Sequence, residues 1–274
     1  MHDFTKATLN WYDSFGRDLP WRRTKDPYPI MVSEFMLQQT QVSRVIPKFE
    51  AFMTTFPTIF DLAKAPLSQV IALWSGLGYN RRAKFVWQAA QDIVRDFDGV
   101  VPETETELLL LHGFGPYTAN AVLAFAYNKP VVVIDANVKN VCNKVFGVTE
   151  KEIPQLVSQL VPKKRSRDFY NALMDIGSTY YKKNSDMGDY PYKDLCKWYA
   201  GENIPLLKKV KPKSFKDSNR FYRGQIMKKL VEKNVLSLSE LEDEQNADMY
   251  KEALSQLVSE KLVITEKGSI YLPK

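Results

Sequence analysis

Two glycines separate two apolar segments in Leu111-His112-Gly113-Phe114-Gly115-Pro116-Tyr117-Thr118-Ala119. Glycine lets a backbone approach a ligand closely, and a helix starting after it begins with outward-pointing amides. Such a turn can hold a DNA phosphate without touching a base. The same spacing also suits a plain tight turn between helices, because a lone Gly-x-Gly is a weak signal. Glu34 follows Ser33, a candidate N-cap, where a solvated first-turn glutamate complements the helix dipole. Asp135, in Asp135-Ala136-Asn137-Val138, suits a helix N-cap. Tyr79 ends the loop Gly76-Leu77-Gly78-Tyr79, where an aromatic can stack on a base or simply sit half-buried. Two histidines and two cysteines, Cys142 and Cys196, exclude a His-rich metal site and a disulfide framework.

The elements that position these residues read mainly as short amphipathic helices. Apolar spacing predicts helices over 34–46, 67–74, 82–97, 108–111 and 118–127. Stops stand at Gly76 and Gly78 and at Asp98-Gly99. Val131-Val132-Val133-Ile134 is the one β-like run in this part, equally readable as a buried extended connector. A basic, proline-containing stretch over 201–216 reads as a linker or arm, with Lys208, Lys209, Lys211, Lys213 and Lys216. Beyond it lie helical patterns over 221–234 and 248–261, then two short strands across Lys267-Gly268-Ser269. The predicted organisation is a helical domain over 1–200, the linker, and a small winged-helix-like module over 217–274.

The chain has 274 residues, 45% hydrophobic and 26% charged, the balance of a soluble globular protein. No apolar run reaches the roughly 18 residues needed to cross a bilayer, and no signal peptide is read. A cytoplasmic monomer, nucleoid-associated when bound to DNA, is the expectation, with no membrane partner. Thirty-eight Lys and Arg against 32 Asp and Glu give +6, a mild excess that favours an anionic partner.

Four motifs in order carry a resemblance. They are Leu19-Pro20-Trp21-Arg22, Ser33-Glu34-Phe35-Met36-Leu37-Gln38-Gln39-Thr40-Gln41-Val42, Trp74-Ser75-Gly76-Leu77-Gly78-Tyr79, and the hairpin with Val133-Ile134-Asp135-Ala136-Asn137-Val138 downstream. Over about residues 10–180 the chain closely resembles the MutY-type adenine DNA glycosylases of the helix-hairpin-helix, endonuclease III-like superfamily. The resemblance implies a mainly α fold of two helical subdomains. It also implies excision of adenine opposite oxidised guanine (oxoguanine) or guanine in double-stranded DNA, within base excision repair. By it, Glu34 falls on the general acid that protonates the departing purine, and Asp135 on the carboxylate that stabilises an oxocarbenium-like sugar. For Glu34 to be protonated near neutral pH its surroundings must be rather apolar. Tyr117 stands where bifunctional relatives carry a lysine, so lyase activity is expected to be absent or weak. Trp21, Arg22, Gln38, Gln39, Tyr79 and Asp175 fall on base-pocket and mismatch-reading positions. Trp21 is also readable as core and Asp175 as helix surface. Gly113, Gly115 and Thr118 are expected to hold the DNA backbone, with Arg220 and Arg223 assisting from the tail.

Two departures stand out. Many relatives bind an iron–sulfur cluster through four cysteines, and those spacings fall here on Tyr180, Met187, Tyr190 and Cys196. No cluster is expected; Tyr180, Tyr181, Tyr190 and Tyr192 are expected to fill the space, with Lys182, Lys183 and Lys193 preserving DNA contacts. The resemblance also suggests a monovalent cation at carbonyls of Leu109, Leu111 and Phe114. Secondly, the tail is too short for the Nudix-like domain that many relatives use to recognise oxoguanine. The alternatives are a thymine or uracil glycosylase acting on G mismatches, and a non-enzymatic DNA-damage binder.

Overall fold

The computed structural model describes residues 2–181, 185–207, 218–241 and 246–274. The chain runs through α1 (His2–Phe15), a 3₁₀ turn at Pro20–Arg22, α2 (Pro27–Leu37), α3 (Val42–Thr55), α4 (Ile59–Lys64), α5 (Leu67–Trp74) and α6 (Arg81–Asp96). It continues through α7 (Glu105–Leu108), α8 (Pro116–Phe125), α9 (Ala136–Phe146), α10 (Ile153–Leu160) and α11 (Ser166–Tyr180). The tail holds α12 (Asn219–Lys233), β1 (Val235–Ser237), α13 (Ala247–Ser259), β2 (Ile264–Glu266) and β3 (Ser269–Tyr271).

Local chemistry fixes many of these boundaries. Thr58 and Asp61 form a reciprocal capping box that starts α4. Ser218 accepts from the Phe221 amide to start α12. Gly147, at φ 69°, closes α9 in the left-handed conformation that glycine adopts without strain. Helix α6 is amphipathic, burying Ala83, Val86, Ala89, Ala90 and Ile93 along one face. Helix α2 is apolar nearly all round, and Ile30, Met31, Val32, Phe35 and Met36 are all buried, as such a sequence requires.

Contacts divide the chain into two compact units. One comprises Met1–Met31, Glu103–Leu109 and Phe114–Val210. Its core includes Phe4, Phe169, Tyr170 and Tyr192, with α9 and α11 packed together closely enough that a Cβ at Gly177 would stand 2.7 Å from the Asn137 Cβ. The other unit comprises Val32–Pro102, Leu110–Gly113 and Lys211–Lys274. Its helical part is built on Phe52, Leu62, Ile71, Trp74 and Ile93, all essentially without exposure. Its tail forms an antiparallel sheet in the order β1-β3-β2, with Leu236 opposite Ile270 and Ile270 opposite Thr265. Residues 217–274, read from the sequence as a separate module, share a unit with 32–102; residues 208–216 of the linker, and 217, lie outside the described residues.

The helix expected over 34–46 is two helices. Ser33 is not an N-cap but a fully buried residue inside α2, which starts at Pro27, and the chain turns at Gln38–Gln41 before α3. Glu34 consequently lies near the end of α2 rather than in a first turn. Residues 131–134 are neither helix nor strand. Strand β1 has no counterpart in the sequence reading. Among the described residues no helix is long and apolar enough to cross a membrane.

Candidate active site

The end of α2 is held by one buried side chain. Arg82, 6% exposed, donates Nη1 to the carbonyls of Phe35 (2.8 Å), Met36 (3.0 Å) and Gln38 (2.5 Å). Its Nη2 donates to Thr40 Oγ1 (3.0 Å) and to the carbonyls of Leu77 (3.2 Å) and Gly78 (2.9 Å). The last carbonyls of a helix lack partners within it, and here a cation supplies them. The same guanidinium fixes the loop before α6, so one side chain ties the helix end bearing Glu34 to the loop bearing Tyr79. Burial pulls the Arg82 pKa down to about 10. Glu34 is 7% exposed, between fully buried Ser33 and Phe35. The sequence reading missed Arg82; an arginine among the apolar positions that start α6 was the available signal.

Tyr79 stands at φ 49°, a left-handed conformation uncommon for a side chain of its size, behind Gly78 at φ 72°. Its ring is 42% exposed and opens on a cavity of about 970 Å³ in the second unit. Gln38, Gln39, Arg44 and Arg81 line this cleft from the helical part, and Arg220 and Lys228 from α12. Three sequence-predicted readers, Gln38, Gln39 and Tyr79, thus meet at one place, and Arg220 joins them. Arg223 also lines the cleft but is committed to Glu260 of α13, through Nη1 (2.9 Å) and Nη2 (2.5 Å). That pair holds α12 on α13, a role the sequence reading of Arg223 did not include. Lys84 Nζ in turn donates to the Glu260 carbonyl (2.7 Å), fastening that end of α13 to α6.

At the hairpin, Gly113 has φ 77°, and a Cβ there would lie 2.5 Å from the Phe85 Cβ, so only glycine fits. Gly115 has ordinary backbone angles and nothing within 4 Å of a built Cβ, leaving open space beside the start of α8. Thr118, in the first turn of α8, is only 4% exposed. Tyr117 is half-buried in the first turn of α8. In the second unit, Asp92 accepts from the His112 amide (3.1 Å) and meets His112 Nδ1 (2.6 Å), anchoring the hairpin's first half to α6.

Asp135, in the first unit, is the N-cap of α9. Its Oδ1 accepts from the Val138 amide (2.7 Å) and its Oδ2 from Asn137 Nδ2 (2.8 Å). Burial outweighs these bonds and raises its pKa from the ordinary aspartate value. Asp175 is fully buried in α11, not a helix-surface residue. It takes a fork from Arg22 (2.7 and 2.9 Å) and bonds from the Arg17 Nε (2.6 Å) and amide (3.0 Å). Arg22 and Asp175 are thus brought together in one buried ion pair, with Arg17 an unforeseen third member. Trp21 is buried.

The loop after α11 is closed by phenols. Tyr180, Tyr190 and Tyr192 are buried; Tyr190 packs against Tyr180 (centroids 5.2 Å apart) and Tyr192 (5.5 Å), and shares a 2.8 Å hydroxyl bond with Tyr181. Tyr192 stacks on Phe4 and bonds Thr8, while Tyr180 accepts from Trp11 Nε1. Cys196 donates its thiol to the Lys144 carbonyl (3.2 Å), and Met187 is half-buried. One thiol among packed tyrosines does not fit a four-thiolate iron–sulfur cluster. Among the described residues no group of three or more His, Cys, Asp or Glu could hold a metal ion. Lys193 bonds the Gly188 carbonyl (2.7 Å), and Lys182 and Lys183 lie outside the described residues.

Comparison with known proteins agrees with this architecture. Residues 32–164 match the family described as HhH-GPD superfamily base excision DNA repair protein. An adenine DNA glycosylase of Buchnera aphidicola subsp. Baizongia pistaciae is 36% identical over 209 residues, which cover 73% of this chain and 60% of that one. The chain thus spans less than two thirds of that relative's length. An adenine DNA glycosylase of Mycobacterium tuberculosis is 34% identical over 97% of this chain and 92% of its own length. A solved structure of a thermostable thymine-DNA glycosylase superposes with a TM-score of 0.67 at 29% identity, covering 72% of this chain and 95% of that one. With its helix-hairpin-helix fold and near full-length similarity to one such enzyme, the chain belongs to the adenine DNA glycosylases of the HhH-GPD superfamily of base excision DNA repair proteins.

Proposed function

We propose that this chain is a monofunctional DNA glycosylase that flips adenine out of double-stranded DNA and excises it where it faces oxoguanine or guanine. Breaking an N-glycosidic bond needs a proton for the leaving purine and negative charge beside the cationic sugar. Glu34 supplies the proton and Asp135 the charge, its two oxygens oriented by Val138 and Asn137. Water then adds to the sugar cation and gives up a proton, replacing the one that left with the purine. Tyr117 has no amine to form an imine with the sugar, so the abasic site is left uncleaved. Gln38, Gln39 and Tyr79 read the mismatch, and the backbone of the hairpin from Gly113 to Thr118 takes a phosphate. The chain works as a monomer, and a monovalent cation at carbonyls of Leu109, Leu111 and Phe114 would stiffen that turn.

The observation that carries this reading is Glu34, a carboxyl withdrawn from water at 7% exposure on a helix end that Arg82 pins in place. Its test is single-turnover excision on duplexes containing A:oxoguanine, A:G, T:G and U:G, followed by mild alkali. Adenine release alone is expected, and Glu34→Gln should abolish it while DNA binding persists. Unchanged turnover in that variant would refute the acid assignment. The likeness to a thymine-DNA glycosylase structure favours one second reading, excision of pyrimidine opposite G, which release from T:G or U:G would establish.

A further inference from the structure

Tyr79 is an exposed ring in a loop without a helix or strand ladder, so its direction is set by its neighbours. Two guanidinium groups supply them. The Arg82 Cζ lies 5.5 Å from the ring centroid and the Arg220 Cζ 5.1 Å, and Arg220 Nη1 also donates to the Tyr79 hydroxyl. Arg82 is buried in its carbonyl cage and stays with the helical part. Arg220 comes from the tail, in the first turn of α12, and is placed by the Ser218 cap and by the Arg223–Glu260 pair one turn on. Exposed contacts of this kind add little to fold stability. What the contact fixes is the direction of an aromatic face inside a cleft. Around that face stand the Gln38 and Gln39 amides, able to read a base edge, and Arg44 and Lys228, able to meet phosphates.

We propose that Arg220 is a positioning residue that determines specificity. By holding Tyr79 through its ring and hydroxyl, it fixes the surface on which the base opposite the excised adenine stacks, so α12 supplies part of the recognition of that base. This rests on the proposed function and adds the tail to it. The test measures binding of the full chain to two duplexes carrying a cleavage-resistant 2′-fluoro adenine nucleotide, opposite oxoguanine in one and thymine in the other. Arg220→Ala should lower the preference for the first duplex roughly tenfold and leave affinity for the second within about twofold. In a Tyr79→Ala background the same change should leave the preference as it is, and Arg220→Lys should restore part of it. Equal loss on both duplexes, or an undiminished effect without Tyr79, would make Arg220 a plain backbone contact and overturn the proposal. A wild-type chain without preference would overturn it as well. Adenine release from unmodified duplexes is scored separately. Its absence, with the Arg220–Tyr79 coupling intact, would count against the proposed reaction alone.

Discussion

Asp135 carries two demands that conflict. As the cap of α9 it accepts two hydrogen bonds, yet burial raises its pKa above the 3.8 of a free aspartate. The folded chain therefore keeps this proton to higher pH than the unfolded chain does. The stability linked to it is full below 3.8 and is lost as pH rises through the raised value. Asp135→Asn, which can still cap, should match wild type in thermal unfolding at the acid end and gain on it as pH rises to neutral, while losing excision. A gain that shrinks with rising pH would contradict the shift. Tyr117 offers the opposite experiment, a gain of chemistry. Tyr117→Lys places an amine in the first turn of α8, and borohydride should then trap a covalent protein–DNA complex absent with wild type. No trapped band from a folded, DNA-binding variant would place this position away from the sugar.

Among the elements, α2 shows what sequence spacing conveys and what it cannot. The apolar run correctly placed a helix around Glu34, and Gly76, Gly78 and Asp98-Gly99 correctly stopped their helices. The break between α2 and α3 was invisible because its cause lies some forty residues on, where Arg82 takes the carbonyls that a continuing helix would have used. Strand β1 was invisible for the same reason, since Val235–Ser237 is a strand only through pairing with Ser269–Tyr271. The charge on Asp175 suggested surface, and only the fold brings Arg17 and Arg22 to it. Arg82→Met should therefore be costly beyond its size, leaving several buried carbonyls without donors. A loss of roughly 3–5 kcal/mol, or about 10 °C in thermal unfolding, is expected. A shift under about 2 °C would show that the helix end is held by something else.

At the scale of the whole chain, the family resemblance gave the helical fold, but not the way the tail packs. The basic composition of α12 pointed to DNA in general; that Arg223 is spent on Glu260 while Arg220 reaches Tyr79 follows from tertiary placement alone. The loop at 180–196 was read correctly as tyrosine-filled, because three of its four ligand positions carry no thiol. Protein purified from iron-replete cells should show no broad visible absorption and no stoichiometric iron, and a brown, iron-loaded preparation would contradict that reading. On that reading, a closure of rings and hydroxyls around one thiol gives a chelator nothing to extract and peroxide no inorganic core to dismantle. The oxidants that damage guanine in DNA would then meet, as the sulfur of this loop, the buried Cys196 thiol and the Met187 thioether in place of a cluster.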